Sequence, residues 1–510
     1  MEHAASPTLA SGSWLDPVNA ALTRAPVWAF LVAIIVTLQL ALIWSHQAWA
    51  DEFQALLLAT KASTQNELLA WLRYEGHPPA WYWFLRGLAT ALPVAIVLPA
   101  AATVCALVVH AVILFAAPFT RAERLLLASS QYVLFEFLTI SRGTSLGVAL
   151  ILLALVAWRS RWLWLLMATL PLVDFMFGVV SGVFLILKWR EGELWWPGVG
   201  VWLGGSALAG WTVLPAPDMV SAFDAMRGSQ GAELLMESLN GWFLRMGSLP
   251  LPFQGGIAPQ WNTPVNPISS FAWIAMVWLC WHLTQGFAWH RLMIFGFFGF
   301  TLAFTLVVYP IGLRHVMLGA LLLFALVWLQ RSSGRPCVTE TSTTWKVWLI
   351  ALAISGLATG AISTNRGFDA GAQVVSEIES RGLDNKRWIA LPEWRVPAVS
   401  ARSDIAFERL GENCRFTFVR WDHSYDALES NEALAAALKA DIAANGRGYL
   451  LSDMEFIGFD PDLLSPLATV AAGYDGIPYN LYVIGRNSTE KPRTVPWCHS
   501  VNTASSSRGS

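Results

Sequence analysis

Long apolar runs broken by short polar stretches fill the chain from residue 26 to residue 363. A bilayer takes about 20 apolar residues as helix. Apolar helices are predicted near 26–45, 92–117, 124–140, 144–158, 162–174, 175–188, 195–213, 269–287, 292–309, 313–330 and 345–363. That makes about eleven, several short, and the two meeting at Asp174 could be one broken element. From Asn365 the pattern changes. Helix-like stretches (Asp369–Arg381, Asn431–Asn445) alternate with short β-type runs at Trp388–Leu391, Arg415–Trp421, Tyr449–Leu451 and Leu481–Ile484. Such alternation predicts a small α/β domain with a mainly parallel sheet. The Ser/Thr-rich tail after Arg486 reads as disordered.

The segment 46–91 is neither a plain loop nor a clean span. Asp51–Thr60 has helical amphipathicity. Thr64 followed by Glu67 is a capping-box pattern. Gly76 suits a left-handed helix stop, and Pro78 and Pro79 suit the opening of another helix. With Trp71, Trp81, Tyr82 and Trp83 favouring an interface, helices lying along a membrane surface are predicted here.

Composition agrees with a polytopic membrane protein: 55% hydrophobic, 13% charged, mean hydropathy +0.49. Soluble domains carry about 25% charged residues. A net charge of −2 gives no sign of a nucleic-acid partner. Lys and Arg near short loops favour the cytoplasm. Arg24, Arg121, Arg124, Arg159, Lys188, Arg291 and Arg331 fall on one side of the predicted topology. The N-terminus is therefore expected inside, and 46–91, 214–268 and everything after about 364 outside. Ala48-Trp49-Ala50 resembles a signal cleavage site, but the apolar run before it exceeds the usual ~7–15 residue signal core, so an uncleaved anchor is expected. The expected division is a cytoplasmic segment 1–25, a membrane domain 26–363, an outside α/β domain 364–486 and a tail 487–510. Cys414 and Cys498 share the outside domain, where a disulfide could persist.

Candidate chemistry gathers on the outside face. Asp51 and Glu52 follow the first span, and a carboxylate there could accept a proton from a sugar hydroxyl. Glu75 and His77, two apart at a helix break, could both face a divalent metal such as Mg, Mn or Zn. Glu136, Arg142, Arg314 and His315 interrupt apolar stretches, and an ionised group at membrane depth usually faces protein or water. Arg suits phosphate because its planar fork donates two hydrogen bonds at once. Each residue also has a plain structural reading: helix-dipole acids at 51–52, a solvated end at Glu75, an N-cap at His77, and snorkelling or structurally paired cations at Arg142 and Arg314.

Taken together, these residues resemble the C-type glycosyltransferases, in the protein O-mannosyltransferase and aminoarabinose-transferase branch (glycosyltransferase family 39), closest to bacterial members of unassigned substrate. The resemblance rests on AspGlu at 51–52, EGHPPAWYW at 75–83, SRGTSLG at 141–147 and LRH at 313–315, and runs to about residue 330. It implies an inverting glycosyltransferase of the inner (cytoplasmic) membrane with its site facing the periplasm or cell exterior. A sugar would move from a polyprenyl-phosphate donor to a hydroxyl of a lipid, glycan or protein acceptor. Asp51 would be the catalytic base, Glu75 and His77 would help hold a metal or the donor phosphate, and Arg142 and Arg314 would grip the phosphate. Some relatives carry Lys where this chain has His77. Glu52, about 100° round the helix from Asp51, would support structure or acceptor contacts. Glu136 and His315 would complete the substrate-binding set. The competing class is a transporter or a non-catalytic binder of lipid-linked sugars. Transporters often show related halves with paired broken helices, and none are evident in this sequence.

Overall fold

The computed structural model describes residues 15–219, 269–307, 313–412, 414–422, 430–491 and 494–498, with isolated positions between 236 and 261. Most of the loop expected at 214–268 lies outside them. Four described helices are long and apolar enough to cross a membrane: Ala25–Ser45, Val94–Ala116, Ala288–Val307 and one starting at Thr343. Shorter apolar helices pack among them, including Gly143–Val156 and Trp162–Val173.

The bundle has two ends, and α2 (Ala25–Ser45) runs between them. At 1.5 Å per residue its length is about 31 Å, near the thickness of a hydrocarbon core. A short α1 (Asp16–Leu22) precedes it at the first end. There Glu123 is a knot: it accepts both Arg331 Nη atoms at 2.7 Å and Trp345 Nε1 at 2.9 Å. The long helix Thr343–Arg366 starts at this knot and delivers the chain to the opposite end. Midway, a Cβ on Gly356 would collide with the Ser129 carbonyl, so glycine lets the helix touch backbone.

That contact falls where 124–140 was expected to be continuous. Instead the helix Arg121–Ala128 stops, Ser130 caps a new start by accepting from Val133 N, and a wide turn follows at Gln131–Phe137. A serine pair competes for backbone hydrogen bonds, and the approach of Gly356 leaves no room for a straight helix. The break expected at Asp174 is present: one helix ends at Val173, and Asp174 caps the next, Phe175–Glu191, by accepting from Met176 N.

At the second end the segment 46–91 forms α3 (Ala50–Lys61), α4 (Gln65–Glu75) and α5 (Ala80–Ala89). Thr64 accepts from Glu67 N, but Glu67 reaches back to Ser63 rather than to the Thr64 backbone, so the capping box is shifted by one residue. Gly76 ends α4 at φ 66°, where a side chain would be strained. Arg86 on α5 donates to the Ala62 carbonyl at 2.8 Å, satisfying the end of α3.

The C-terminal part folds as a six-stranded sheet, β1 (Trp388–Ala390), β2 (Phe407–Glu408), β3 (Arg415–Phe416), β4 (Gly448–Ser452), β5 (Leu464–Val470) and β6 (Tyr479–Ile484), in the order β3-β2-β1-β4-β6-β5. The expectation of a mainly parallel sheet is corrected. Only β1–β2 and β1–β4 are parallel; β2–β3, β4–β6 and β5–β6 are antiparallel. The link 471–478 is too short for a crossover, which takes a dozen or more residues. β5 carries Pro466 and a register shift beside it, fitting the edge position it occupies. Cys414 and Cys498 form a disulfide.

Candidate active site

Asp51 sits in the first turn of α3, where the chain has just left α2. Its Oδ2 accepts from Arg142 Nη1 at 2.7 Å. Arg142 stands at the N-cap position of the helix Gly143–Val156, with its guanidinium 5.6 Å from the Trp49 ring. The pair is partly open, with Arg142 16% and Asp51 36% exposed.

The adjacent acid has a different fate. Glu52 is fully buried, accepting from His46 at 2.9 Å, Trp49 N at 3.1 Å and Ser141 N at 2.6 Å. It is expected to support structure or to contact the acceptor; here it ties the α2–α3 corner to the Ser141 backbone. A carboxylate served by three protein donors has little left for a ligand.

Glu75 ends α4 with its carboxyl turned toward α3, and Gln54 Nε2 donates to its Oε1 at 2.7 Å. Burial pushes the Glu75 carboxyl up to about 7; the Gln54 bond and Arg142 oppose the rise, and the Asp51 charge adds to it. Tyr82 on α5 is buried beside the same groups. Burial pushes its phenol well above the ordinary range, and the charges acting on it are Glu75, Arg142, Asp51 and Asp174. Asp51 and Arg142 are in direct contact, and the charges of Glu75 and Asp174 act on Tyr82 along with theirs.

His77 Nδ1 meets the Glu75 carbonyl at 2.8 Å, so its ring is turned back on the helix end. Among the described residues no three His, Cys, Asp or Glu side chains gather as a metal ligand set. Gln54 holds Glu75 Oε1 and a carbonyl orients the His77 ring through Nδ1, as outer-shell partners orient metal ligands. Glu136 is buried and accepts from Trp261 Nε1 at 2.9 Å, while Trp261 packs edge-on against Trp49. His315 is buried near the start of the helix Leu313–Ser332. The Arg314 side chain lies outside the described residues.

Sequence reasoning left three neighbours out of the site: Gln54, Tyr82 and Asp174. Gln54 lies three residues after Asp51, on the same helix face, a spacing that could have flagged it. Tyr82 follows the diproline by three positions, and Asp174 is a lone acid between apolar helices. Both were visible as features without a stated partner.

No family model matches the chain, and no curated protein sequence matches it. Among solved structures, the cryo-EM structure of the arabinofuranosyltransferase AftD from Mycobacteria is similar with a TM-score of 0.33 and 16% identity. The match covers 89% of this chain and 41% of that one, so the chain spans about two fifths of that protein's length. A likeness that loose leaves the activity to be argued from the residues.

Proposed function

We propose that the protein is an inverting glycosyltransferase that moves a sugar from a polyprenyl phosphate to an acceptor hydroxyl at the outer membrane face. The observation that carries this is the contact of Asp51 with Arg142, a carboxylate suited to accept a proton beside a cation suited to phosphate, where the chain emerges from an apolar helix. The acceptor O–H attacks the anomeric carbon and its proton passes to Asp51. The bond from that carbon to the phosphate oxygen breaks with its electron pair on the oxygen, and polyprenyl phosphate leaves from the opposite face. As Asp51 is neutralised, negative charge appears on the leaving phosphate. Arg142 can then turn from the first anion to the second. Stabilisation that grows as charge develops is what lowers a barrier. The sugar centre is oxocarbenium-like, as in glycoside cleavage. Tyr82 and Glu75 line the same region and suit contacts with sugar hydroxyls.

The test compares envelope glycolipids and glycans by mass spectrometry in wild type, a deletion strain, and the deletion carrying Asp51→Asn. A sugar-mass loss shared by the last two supports the transferase and names both sugar and acceptor. Full rescue by Asp51→Asn would make the carboxylate structural and favour a transporter or a binder of lipid-linked sugars.

A further inference from the structure

The reactive groups of the candidate site all come from the helical part, yet the sheet domain reaches them. β3 continues into a strap, Thr417–Arg420, laid across the platform. Thr417 Oγ1 accepts from Lys61 Nζ on α3 at 2.8 Å. Phe418 packs on Trp71 of α4, centroids 4.8 Å apart. Val419 meets Gln54 on α3, and Arg420 Nη2 donates to Tyr74 OH on α4 at 2.5 Å. Successive residues of the strap thus engage the two helices in turn, Thr417, Phe418 and Arg420 through side chains and Val419 through its backbone.

Gln54 is the joint. Its Oε1 accepts from Val419 N at 2.9 Å, and its Nε2 donates to Val419 O at 2.8 Å. The second N–H of the same amide donates to Glu75 Oε1 at 2.7 Å. Both donors are used, so the amide orientation is fixed by its partners: Val419 supplies one acceptor and one donor, and the third partner is a carboxyl oxygen. Gln54 is buried, and losing any one partner leaves a buried polar group unpaired. A second tie runs to the start of α3, where Arg402 of the sheet domain donates to the Ala48 carbonyl at 2.6 Å and lies over Phe53.

We propose that Gln54 is a positioning residue through which docking of the sheet domain sets the spacing of α3 and α4, and hence of Asp51 and Glu75. The statement about spacing stands on these contacts alone. Its consequence for turnover rests on the transferase reading.

The experiment uses the full-length protein in nanodiscs, with Gln54→Leu and Arg420→Ala, and reads backbone hydrogen exchange by mass spectrometry. Each variant is expected to speed exchange roughly tenfold or more in the strap and in α4, with the helix Gly143–Val156 unchanged. The double variant is expected to add little to either single one, because both break one connection. Faster exchange confined to the altered residue's own element, or strictly additive effects, would overturn the proposal. If Gln54→Leu does not fold, Arg420→Ala alone decides, since it leaves the buried amide intact. Polyprenyl phosphate binding is the second readout. Gln54→Leu is expected to keep wild-type affinity for it, because Arg142 is untouched, while kcat falls. A variant that loses both together would show a merely structural role. Absence of transfer by wild type would sink the functional reading while the exchange data still decide this inference.

Discussion

Replacing Asp51 with Asn separates the two halves of the proposed chemistry, because they should respond in opposite directions. Asn keeps an oxygen that can accept from Arg142, so the contact survives without its charge. The pair is 36% exposed on the Asp51 side, and ion pairs that open to solvent contribute only about 0.2–1 kcal/mol. Folding should therefore change little. For a phosphate to take Arg142 from Asp51, that small attraction must be surrendered; in the variant it is already gone. Affinity for polyprenyl phosphate is expected to stay equal or rise, by up to about fivefold, the factor equivalent to 1 kcal/mol. Turnover is expected to fall roughly 10²–10⁴-fold, the contribution of a positioned general base. Arg142→Ala should instead weaken phosphate binding and turnover together. The assay is calorimetric titration of polyprenyl phosphate into protein in nanodiscs, beside single-turnover transfer once the donor sugar is known. Wild-type turnover in Asp51→Asn, or weaker phosphate binding in it, would refute the reasoning.

Glu123→Ala should cost about 3–5 kcal/mol, because it leaves the buried Arg331 charge with only its bonds to Thr339 and orphans Trp345 Nε1, and thermal unfolding in detergent would measure it. Cys414→Ser should destabilise the sheet domain by about 2–5 kcal/mol and speed exchange in the strap that follows β3; unchanged exchange there would argue that the strap is held by the platform alone. Asp475 is buried beside Asp369 and Arg395, and burial, with the Asp369 charge, raises its carboxyl from 3.8 to about 6. The folded state therefore holds a proton that the unfolded chain gives up first, so this contribution favours folding below about pH 4 and is lost as pH rises to 6. Asp475→Asn should flatten that fall, worth at most about 3 kcal/mol, and a melting curve as steep in pH as wild type would count against it.

How much of this was legible in the sequence depends on the range of the forces involved. Apolar length announced α2 and the helix after Thr343, and local backbone rules announced the stop at Gly76 and the start after Pro79. The break after Ala128 was missed because its cause is partly distant: Ser130 is local, but the helix surface at Gly356 lies more than two hundred residues on. The sheet misled for a similar reason. Alternating helices and strands suggested parallel pairing, whereas the links 409–414 and 471–478 are too short for a crossover, and three of the five pairings are antiparallel. In the site, the adjacent acids at 51 and 52 were conspicuous, and it was the resemblance, not charge or spacing, that set Asp51 apart from Glu52. In the fold, Ser141 N and His46 separate the two by burying Glu52 and leaving Asp51 partly open toward Arg142. Gln54 is the extreme case. It is an uncharged residue on a helix face, and its partner Val419 stands 365 positions away. Charge and periodicity mark residues that act on solvent, membrane or near neighbours. A buried amide that joins two parts of a fold leaves no such mark, because its value lies entirely in what the folded chain brings to it.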